Sequence, residues 1–502
     1  MSLSTFAGFE VARSALNASQ TALNTVNHNV SNSDTDGYSR QRADLAVNTP
    51  YTVPSLRGVV SAGQIGTGVT VEQVIRYRDK FADQQYRNEN KYYGQAVAKK
   101  NYLDQIESIY NEPGDTAIQS CLDDFWKGMQ DLSNEAGSSA IRAALKETTL
   151  QLTDSLNHTY SEMTELREEA DSEIVSLVTE INTILTQLKD LNKAIVKVES
   201  TGDNANDYRD SRDLLLDELS GKVNIQYEEL SDGSVSVYIG GKLVASADSC
   251  SQIIVTKVND PIFDGRKIND LIWSDTGSPV EAASGKLKGI LEVRDEIIPD
   301  ALNYLDDIAY TLATKINDLH KEGRGLNGET GYNFFVSTED PDTYLQGIDD
   351  THPPKEVKKA HLAKYITLNS VIQNDISYIG AAAHDCQVVG GSLKDVSNNA
   401  VIAKMADVSQ TKYDINGVNT TINDYYQTAI AEIGTITKKV NNVIDNKEIL
   451  INGIENRRDA TSGVTENDEL VDMIKFQKIY ASAARLVTAY DTMLETLLGM
   501  GA

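Results

Sequence analysis

Apolar residues recur at alternating steps of three and four along the last segment of the chain, residues 465–502. This stripe comprises Met473, Phe476, Tyr480, Ala483, Val487, Tyr490, Leu494 and Leu497. Such spacing is typical of the seam of a coiled-coil helix, and neither Gly nor Pro interrupts it between Thr465 and Leu498. A single amphipathic helix cannot bury its own stripe, so the pattern predicts a helical partner.

A matching stripe opens the chain within residues 1–30. It comprises Phe9, Ala12, Leu16, Ser19, Leu23, Val26 and Val30. We therefore predict that the two ends form paired coiled-coil helices, either within one chain or with helices of neighbouring copies. Residues 27–41, rich in Asn, Ser, Asp and Gly, should end the first helix in a turn, because these residues bond the backbone or adopt positive φ.

Helical periodicity also dominates the interior of the chain. The predicted helices span residues 78–111, 116–198, 208–219, 298–320 and 422–454. A loop at residues 459–464 should precede the final helix. Residues 43–75, with alternating apolar residues, glycines and prolines, should form short strands or an irregular extended arm.

The apolar period changes to two at Lys222, where turns at residues 231–233 and 240–241 predict a β-meander. We therefore expect a mainly α fold with a β-rich insertion, organised as nested domains. The predicted domains are a terminal coiled-coil assembly domain (1–45 and 460–502), a helical bundle (46–221, 285–335 and 400–459), an inserted β-rich domain (222–284), and a mixed segment of loop plus short strands (336–399).

Composition limits the possible partners. A formal charge of −28 and a pI near 4.6 argue against nucleic-acid binding through phosphate contacts and against a basic membrane-binding surface. No window approaches the roughly 18 apolar residues of a membrane span, so no membrane insertion is expected. Arg13 is the sole basic residue before Arg40, and no apolar h-region follows it, so the start of the chain does not resemble a signal peptide.

The residues predict no catalytic, cofactor-binding or metal site. Three cysteines lack a CxxC pair, and six scattered histidines include no HExxH motif. The trio His384-Asp385-Cys386 is too local to be a catalytic triad, whose geometry comes from distant residues. The acidic residues at 340–350 lack EF-hand spacing. We therefore expect a protein that is not an enzyme.

The turn after the first stripe resembles the start of flagellar axial proteins, in which a helix leads into an Asn-x-x-Asn turn ending in Gly-Tyr. Those positions are Asn29, Asn32, Gly37 and Tyr38, and the continuation Ser39-Arg40-Gln41 is similar to that of the flagellar hook-associated protein 1 family. Asp36 stands where this family commonly has proline.

Inner motifs extend the resemblance along the whole chain. They are the helix motif at residues 206–220, the return motif at 285–295, and Leu319-His320 with residues 326–328. A closing motif at 462–485 completes the resemblance at the C-terminal end. Rod, hook and other hook-associated proteins share the two ends, whereas the inner motifs are more specific to the hook-associated protein 1 family.

The resemblance implies a structural protein that joins flagellar hook to filament, assembles as a homo-oligomeric ring of about eleven copies, and is required for filament assembly. It also implies the hook protein and a second junction protein as neighbours. Export would use the flagellar type III system without a cleaved signal, with an export chaperone on the C-terminal helix. The protein would then lie in the extracellular part of the bacterial flagellum.

The expected assembly interface takes its residues from both stripes and from the turn. It comprises Leu16, Leu23, Val26, Val30, Asn29, Asn32, Gly37, Tyr38, Met473, Phe476, Tyr480, Ala483, Val487, Tyr490, Leu494 and Leu497. Two alternatives remain open at this point. One is another flagellar axial subunit, either hook, rod or a second hook-associated protein, and the other is a filament-displayed adhesin or enzyme.

Overall fold

A computed structural model describes residues 6–50, 66–111, 114, 117–263, 265–339 and 358–499. The helices within these ranges are α1 (Phe6–Ser31), α2 (Lys80–Tyr110), α3 (Ile118–Asn134), α4 (Ser139–Glu199), α5 (Asn206–Lys222), α6 (Lys286–Glu292), α7 (Ile298–Glu322), α8 (Leu362–Tyr365), α9 (Ser370–Asn374), α10 (Ala400–Asp407), α11 (Ile422–Ser462) and α12 (Glu466–Gly499). A π-helical turn, Val293–Ile297, joins α6 to α7, and a 3-10 turn spans Ile376–Tyr378.

The strands of the described residues are short and pair antiparallel. They are β1 (Gln41–Val47), β2 (Val69–Arg76), β3 (Ile225–Glu229), β4 (Val235–Ile239), β5 (Lys242–Ala245), β6 (Ile253–Asn259), β7 (Lys267–Trp273), β8 (Gly323–Arg324), β9 (Phe335–Ser337), β10 (Ile366–Leu368), β11 (Ala382–Ala383), β12 (Val388–Val389), β13 (Ser392–Leu393), β14 (Tyr413–Ile415) and β15 (Val418–Thr420). The three-stranded sheet has the order β3-β4-β5, and the other strands form two-stranded pairs. The structure thus confirms a mainly α fold with a β-rich insertion.

A long helical body carries the main core. The 61-residue α4 runs through it, and apolar side chains of α2, α3, α5, α7, α10 and α11 join one continuous cluster with α4. Helix α11 packs along α2. Because burial of apolar surface is the dominant favourable term in folding, this cluster makes the body the stable frame that positions the ends of the chain.

The β-meander forms where the sequence predicts it, and its apolar side chains belong to the same core cluster as α4. Two asparagines of α4 bond the strands as a neighbouring strand would. Asn192 Nδ2 donates to Val235 O at 2.8 Å and Asn192 Oδ1 accepts from Val235 N at 3.0 Å, and Asn182 does the same with Ile253. The limits 222–284 of a separate β domain remain a prediction.

The structure corrects the single helix expected over residues 116–198. The chain leaves α3 after Asn134 and begins α4 at Ser139, and α3 folds back against α4. The reason lies in the apolar face of α3, with Phe125 and Met129 fully buried, which needs a partner within the chain. Gly137 lies in the turn, where an added Cβ would come within 3.1 Å of Val396 O.

The loop expected at residues 459–464 is shorter than predicted. Helix α11 continues to Ser462, so only residues 463–465 separate it from α12. Its last turns are held against α2, since Arg457 contacts Asp79 at 2.8 Å and Arg458 contacts Asp83 at 2.9 Å. These ion pairs join residues that are far apart in sequence, and they stabilise a helical conformation where the local sequence favours a turn.

Two other expectations concern extended segments. The arm at residues 43–75 includes a β-hairpin, in which β1 pairs with β2 along its whole length, so the predicted domain edge at residue 45 falls inside β1. The mixed segment packs on the body through β10 and α8, where Leu362 and Ile366 are buried. Residues 51–65 and the acidic residues 340–350 lie outside the described ranges.

Candidate assembly interface

The two ends of the chain pair in an antiparallel arrangement. Asn29, near the end of α1, bonds Glu469 near the start of α12, and an added Cβ at Gly8 would lie 2.3 Å from the hydroxyl of Tyr490 near the far end of α12. The two ends of α1 therefore meet opposite ends of α12. We call α1 and α12 together the terminal helix pair.

The face of α1 towards α12 is made of small residues. Its members at alternating steps of four and three are Gly8, Ala12, Ala15, Ser19, Ala22, Val26 and Asn29. Ala12, Ala22 and Val26 are buried. Small side chains on one helix allow large ones on the other to fill the space between the two axes, as knobs fill holes in coiled coils. We call this face the α1 seam.

The predicted stripe of α12 supplies the large side chains opposite. Met473, Phe476, Val487, Tyr490 and Leu494 are half-buried, Ala483 is buried, and Tyr480 is 39% exposed. The side chain of Leu497 lies outside the described residues. The side of α12 that faces α1 is therefore the side that the periodicity singles out.

The predicted stripe of α1 is rotated relative to the α1 seam. Val26 lies in the seam, whereas Leu16, Leu23 and Val30 are half-buried at its margin, together with Phe9. The opposite margin of α1 contacts the β1–β2 hairpin, where Ser14 Oγ accepts a hydrogen bond from Val69 N at 3.3 Å. The largest apolar residues of α1 are thus not the ones that face α12.

The turn after α1 is built around the side chain of Asn29, which is 1% exposed. Its Oδ1 accepts from the Tyr38 hydroxyl at 2.8 Å and from Gln41 N at 2.9 Å. Its Nδ2 donates to Gln41 O at 2.8 Å and to Glu469 Oε2 at 2.9 Å. Each polar atom of this amide therefore makes two hydrogen bonds, which satisfies a buried asparagine.

The other turn residues of the motif have distinct roles. Asn32 Nδ2 donates to His28 O at 2.9 Å, so this carbonyl in the last turn of α1 accepts both the side-chain amide and the backbone N–H of Asn32. Gly37 adopts φ +78, and an added Cβ would lie 3.1 Å from Leu214 Cβ, so both backbone conformation and space favour glycine. Burial, reinforced by the charges of Asp207, Asp210 and Glu469, raises the pKa of Tyr38, which keeps its hydroxyl a donor.

Glu469 ties the first helix, the turn and the last helix together. Its carboxylate is 1% exposed and accepts from Arg40 Nε at 2.6 Å as well as from Asn29. Arg40 N also donates to Ser462 O at 2.8 Å, at the end of α11. Because hydrogen bonds to charged groups are stronger than neutral ones, these contacts fix the start of α12 on the turn.

A cluster of buried charges joins the hairpin and turn to the helical body. Its members come from β2 and the residues after it, α2, α5 and α11, and we call it the charged cluster. It comprises Arg76, Arg78, Arg87 and Arg458 with Asp83, Asp210, Asp213 and Asp217. Each of these guanidinium groups lies within 3 Å of at least one carboxylate of the cluster, so none of these cations is left without an opposite charge, as burial of charge requires.

Asp213 lies at the centre of the charged cluster. It is within 4 Å of four guanidinium groups: Arg76 at 2.8 Å, Arg78 and Arg87 at 3.6 Å, and Arg212 at 3.7 Å. Burial alone would raise the pKa of Asp213, but these cations outweigh burial and hold it well below its usual range. Asp210 has one close cation, Arg76 at 2.8 Å, and Arg78 lies farther away at 3.8 Å. Burial outweighs these favourable charges, so the pKa of Asp210 is raised.

The charged cluster was missed by the sequence reasoning, although signals for it exist. Asp210, Asp213 and Asp217 stand at steps of three and four, on one face of α5. Arg76 and Arg78 stand two apart, at the end of β2 and just after it. The same helix motif supplied the resemblance described above. Its aspartates bond side chains that lie more than 100 positions away, so no local pattern could pair them.

The described residues offer little for other chemistry. Among them, no group of three or more His, Cys, Asp or Glu side chains is arranged to hold a metal ion. None of the described helices is both long and apolar enough to cross a membrane.

Three family models match the chain. The flagellar hook-associated protein FlgK helical domain matches residues 103–335, the flagella basal body rod protein family matches residues 9–38, and the flagellar basal body rod FlgEFG protein C-terminal family matches residues 458–500. The two rod-protein matches fall on α1 with its turn and on the end of α11 with α12, which are the elements that meet at Asn29 and Glu469.

Similar proteins cover nearly the whole chain. Flagellar hook-associated protein 1 of Bacillus subtilis is 31% identical over 530 residues, which span 99% of this chain and 99% of that one. The protein of the same name from Escherichia coli is 23% identical and spans 97% of this chain and 98% of that one. A solved structure, the flagellar hook junction protein FlgK from Burkholderia pseudomallei, covers 76% of this chain and 100% of that chain with a TM-score of 0.61 and 13% identity, a likeness of fold.

Proposed function

The chain belongs to the flagellar hook-associated protein 1 family, and we propose that it joins the flagellar hook to the filament as a ring of about eleven copies. The observation that carries this proposal is the terminal helix pair, whose large apolar side chains are only partly covered within one copy. Exposed apolar surface of this kind marks an interaction site, and repetition of one contact around an axis gives a ring.

The neighbours in the proposed junction are the hook protein on one side and a second junction protein on the other. The terminal helix pair would form the part of the ring near the axis, and the helical body with its β insertion would lie outside it. The charged cluster suits this arrangement, because it fixes on the body the hairpin and turn against which α1 packs, and so would transmit the orientation of the ring to the rest of each subunit.

Before assembly, the exposed side of α12 needs protection. We propose that a flagellar export chaperone covers α12 in the cytoplasm, and that the flagellar type III system exports the chain without a cleaved signal. Leu486 and Met493 are more than half exposed on α12, and a helix with such residues resembles those that dock into apolar grooves. In the assembled flagellum the protein would then be extracellular.

Deletion of the gene in the source bacterium tests the junction role. The expected phenotype is hooks without filaments, with flagellin shed into the medium, as seen by electron microscopy and by analysis of the culture supernatant. The full chain should restore filaments, and a chain that lacks residues 466–502 should not. Normal filaments with the shortened chain would contradict the proposal, and loss of the hooks themselves would indicate a hook or rod subunit instead.

A further inference from the structure

Helix α12 carries a second apolar stripe that is turned away from α1. Ile479, Leu486 and Met493 follow each other at steps of seven, and they are 41%, 54% and 59% exposed. Between them stand the small, exposed residues Ser482 and Ala489, so that large and small side chains alternate at steps of three and four. We call this stripe the α12 outer stripe. Its spacing is that of a coiled-coil seam that has no partner within the described chain.

Helix α1 carries a stripe with the same period. Phe9, Leu16, Leu23 and Val30 also stand seven apart, and they are half-buried at the margin of the α1 seam. We call them the α1 side stripe. The terminal helix pair therefore presents two different apolar stripes of matching spacing.

The two stripes lie on opposite faces of the terminal helix pair. Each residue of the α1 side stripe comes one position after a member of the α1 seam, and each residue of the α12 outer stripe comes one position before Tyr480, Val487 or Leu494. One position corresponds to a rotation of about 100° around a helix. Because the helices are antiparallel, both rotations have the same sense when seen from one end. The facing sides of α1 and α12 point towards each other, that is, in opposite directions. A rotation of about 100° in the same sense from each facing side therefore brings the two stripes to opposite faces of the terminal helix pair.

We propose that the α12 outer stripe of one copy packs against the α1 side stripe of the next copy. This inference rests on the proposed self-assembly and names the surfaces that carry it. A contact between two different surfaces on opposite faces is heterologous, so it continues from copy to copy and closes into a ring when the rotation allows. Contact of the outer stripe with a second outer stripe would instead stop at a dimer.

Disulfide cross-linking in assembled flagella distinguishes these arrangements. The contacts Asn29–Glu469 and Gly8–Tyr490 fix the relative positions of the two helices along their axes. Between these contacts, Leu486 lies at the level of Ala12, about one helical turn from Leu16 of the α1 side stripe. The substitutions Leu16→Cys and Leu486→Cys would be made singly and together, in a chain whose half-buried Cys250 and Cys386 are replaced by serine. The variants would replace the gene in the source bacterium, and hook–filament complexes would be isolated and oxidised.

The double variant should give a ladder of dimers, trimers and larger species on non-reducing gels, and each single variant should remain monomeric. A second pair, Ile479→Cys with Leu23→Cys, tests the same contact one heptad away. It provides an independent test if neighbouring copies are displaced along the helix axes, or if the first double variant does not assemble. Dimers from Leu486→Cys alone would overturn the proposal in favour of two outer stripes in contact. Normal filaments without cross-links from either pair would also overturn it, while the junction role would stand.

If the full chain itself failed to restore filaments to the deletion strain, the proposed function would fail instead. A matched pair of variants separates the outer stripe from general disturbance of α12. Leu486→Glu should abolish filaments, whereas Thr492→Glu, at an exposed position outside both stripes, should retain them. Equal loss in both variants would contradict the assignment of the contact to the outer stripe.

Discussion

At the scale of single residues, the best-defined polar groups act as connectors between distant segments. His320 shows this in the body, where it is buried: Gly380 N donates to its Nε2 at 2.9 Å, and its Nδ1 lies 2.8 Å from Tyr332 O. A carbonyl only accepts and an N–H only donates, so the ring is neutral with its proton on Nδ1. Burial lowers the pKa of His320 to about 4.

This histidine should make the body sensitive to acid. Its pKa is lower in the folded chain than in the unfolded chain, so its stabilising effect is complete above about pH 6.5 and is lost as the pH falls towards 4. The loss is on the order of 3 kcal/mol. The difference in urea midpoint between the parent chain and His320→Gln, measured from pH 7 to pH 4, should shrink with falling pH. A constant difference would contradict a neutral His320.

Asp217 should be important for the charged cluster. Arg87 Nε donates to its Oδ1 at 2.6 Å and Arg458 donates to its Oδ2 at 2.5 Å, so Asp217→Asn removes the charge that the buried Arg87 and the partly buried Arg458 share. Removal of one partner from a buried ion pair costs about 3–5 kcal/mol. We expect a clear loss in thermal stability. Glu218→Gln, at the next and exposed position, should change it by less than about 0.5 kcal/mol, and equal effects would contradict the role of the cluster.

At the scale of elements, the terminal helix pair depends on the contrast between a small face and a large one. Residues with small side chains form the α1 seam, and aromatic and aliphatic side chains of α12 lie opposite. The larger apolar residues of α1 remain at the margin, where they are half-exposed. This division leaves each helix with apolar surface beyond what the pair can bury.

Ala22→Leu tests the close approach of the two helices. Ala22 is 2% exposed, and extra methyl groups in such a site cost about 1–3 kcal/mol because the helices must separate. Hydrogen exchange of the α12 amides should become faster, while exchange in α4 should not change. Asn24→Leu adds a similar side chain at an exposed position and serves as control. Unchanged hydrogen exchange in Ala22→Leu would show that the two helices accommodate a larger side chain at this position, and it would contradict the close approach.

At the scale of the whole molecule, the body buries its apolar side chains within one chain, whereas the terminal helix pair does so only in part. In α12, burial among the described side chains is confined to Glu469 and Ala483, whereas the body has one continuous apolar core. The body should therefore not depend on α12 for its fold.

A chain without residues 466–502 tests this independence. We expect its β-meander and helical body to keep their protection against hydrogen exchange, and α1 to lose protection because its partner is gone. Limited proteolysis should then cleave the first 40 or so residues and spare the body. Unfolding of the body in the shortened chain would contradict the separation. The full chain, treated in parallel, is the control.

Much of the fold could be predicted because its signals are local. The three-four stripes place α1 and α12, the turn residues end α1 at Asn29 to Gly37, and the change of period at Lys222 marks the strands. The errors lie where distant contacts override local preference. Arg457 and Arg458 hold the last turns of α11 in helix, and the apolar face of α3 turns it back on α4.

The sequence by itself determined where most of the long helical segments lie and that both ends of the chain carry apolar stripes, since periodicity depends on neighbours three and four residues away. Only the tertiary structure decided which face of α1 turns towards α12. It sets the small residues of α1 against the large residues of α12, and it leaves Leu16 half-buried at the margin and Leu486 exposed. It alone brings Asn29 to Glu469 and Arg458 to Asp83, because pairing between residues hundreds of positions apart depends on the path of the whole chain.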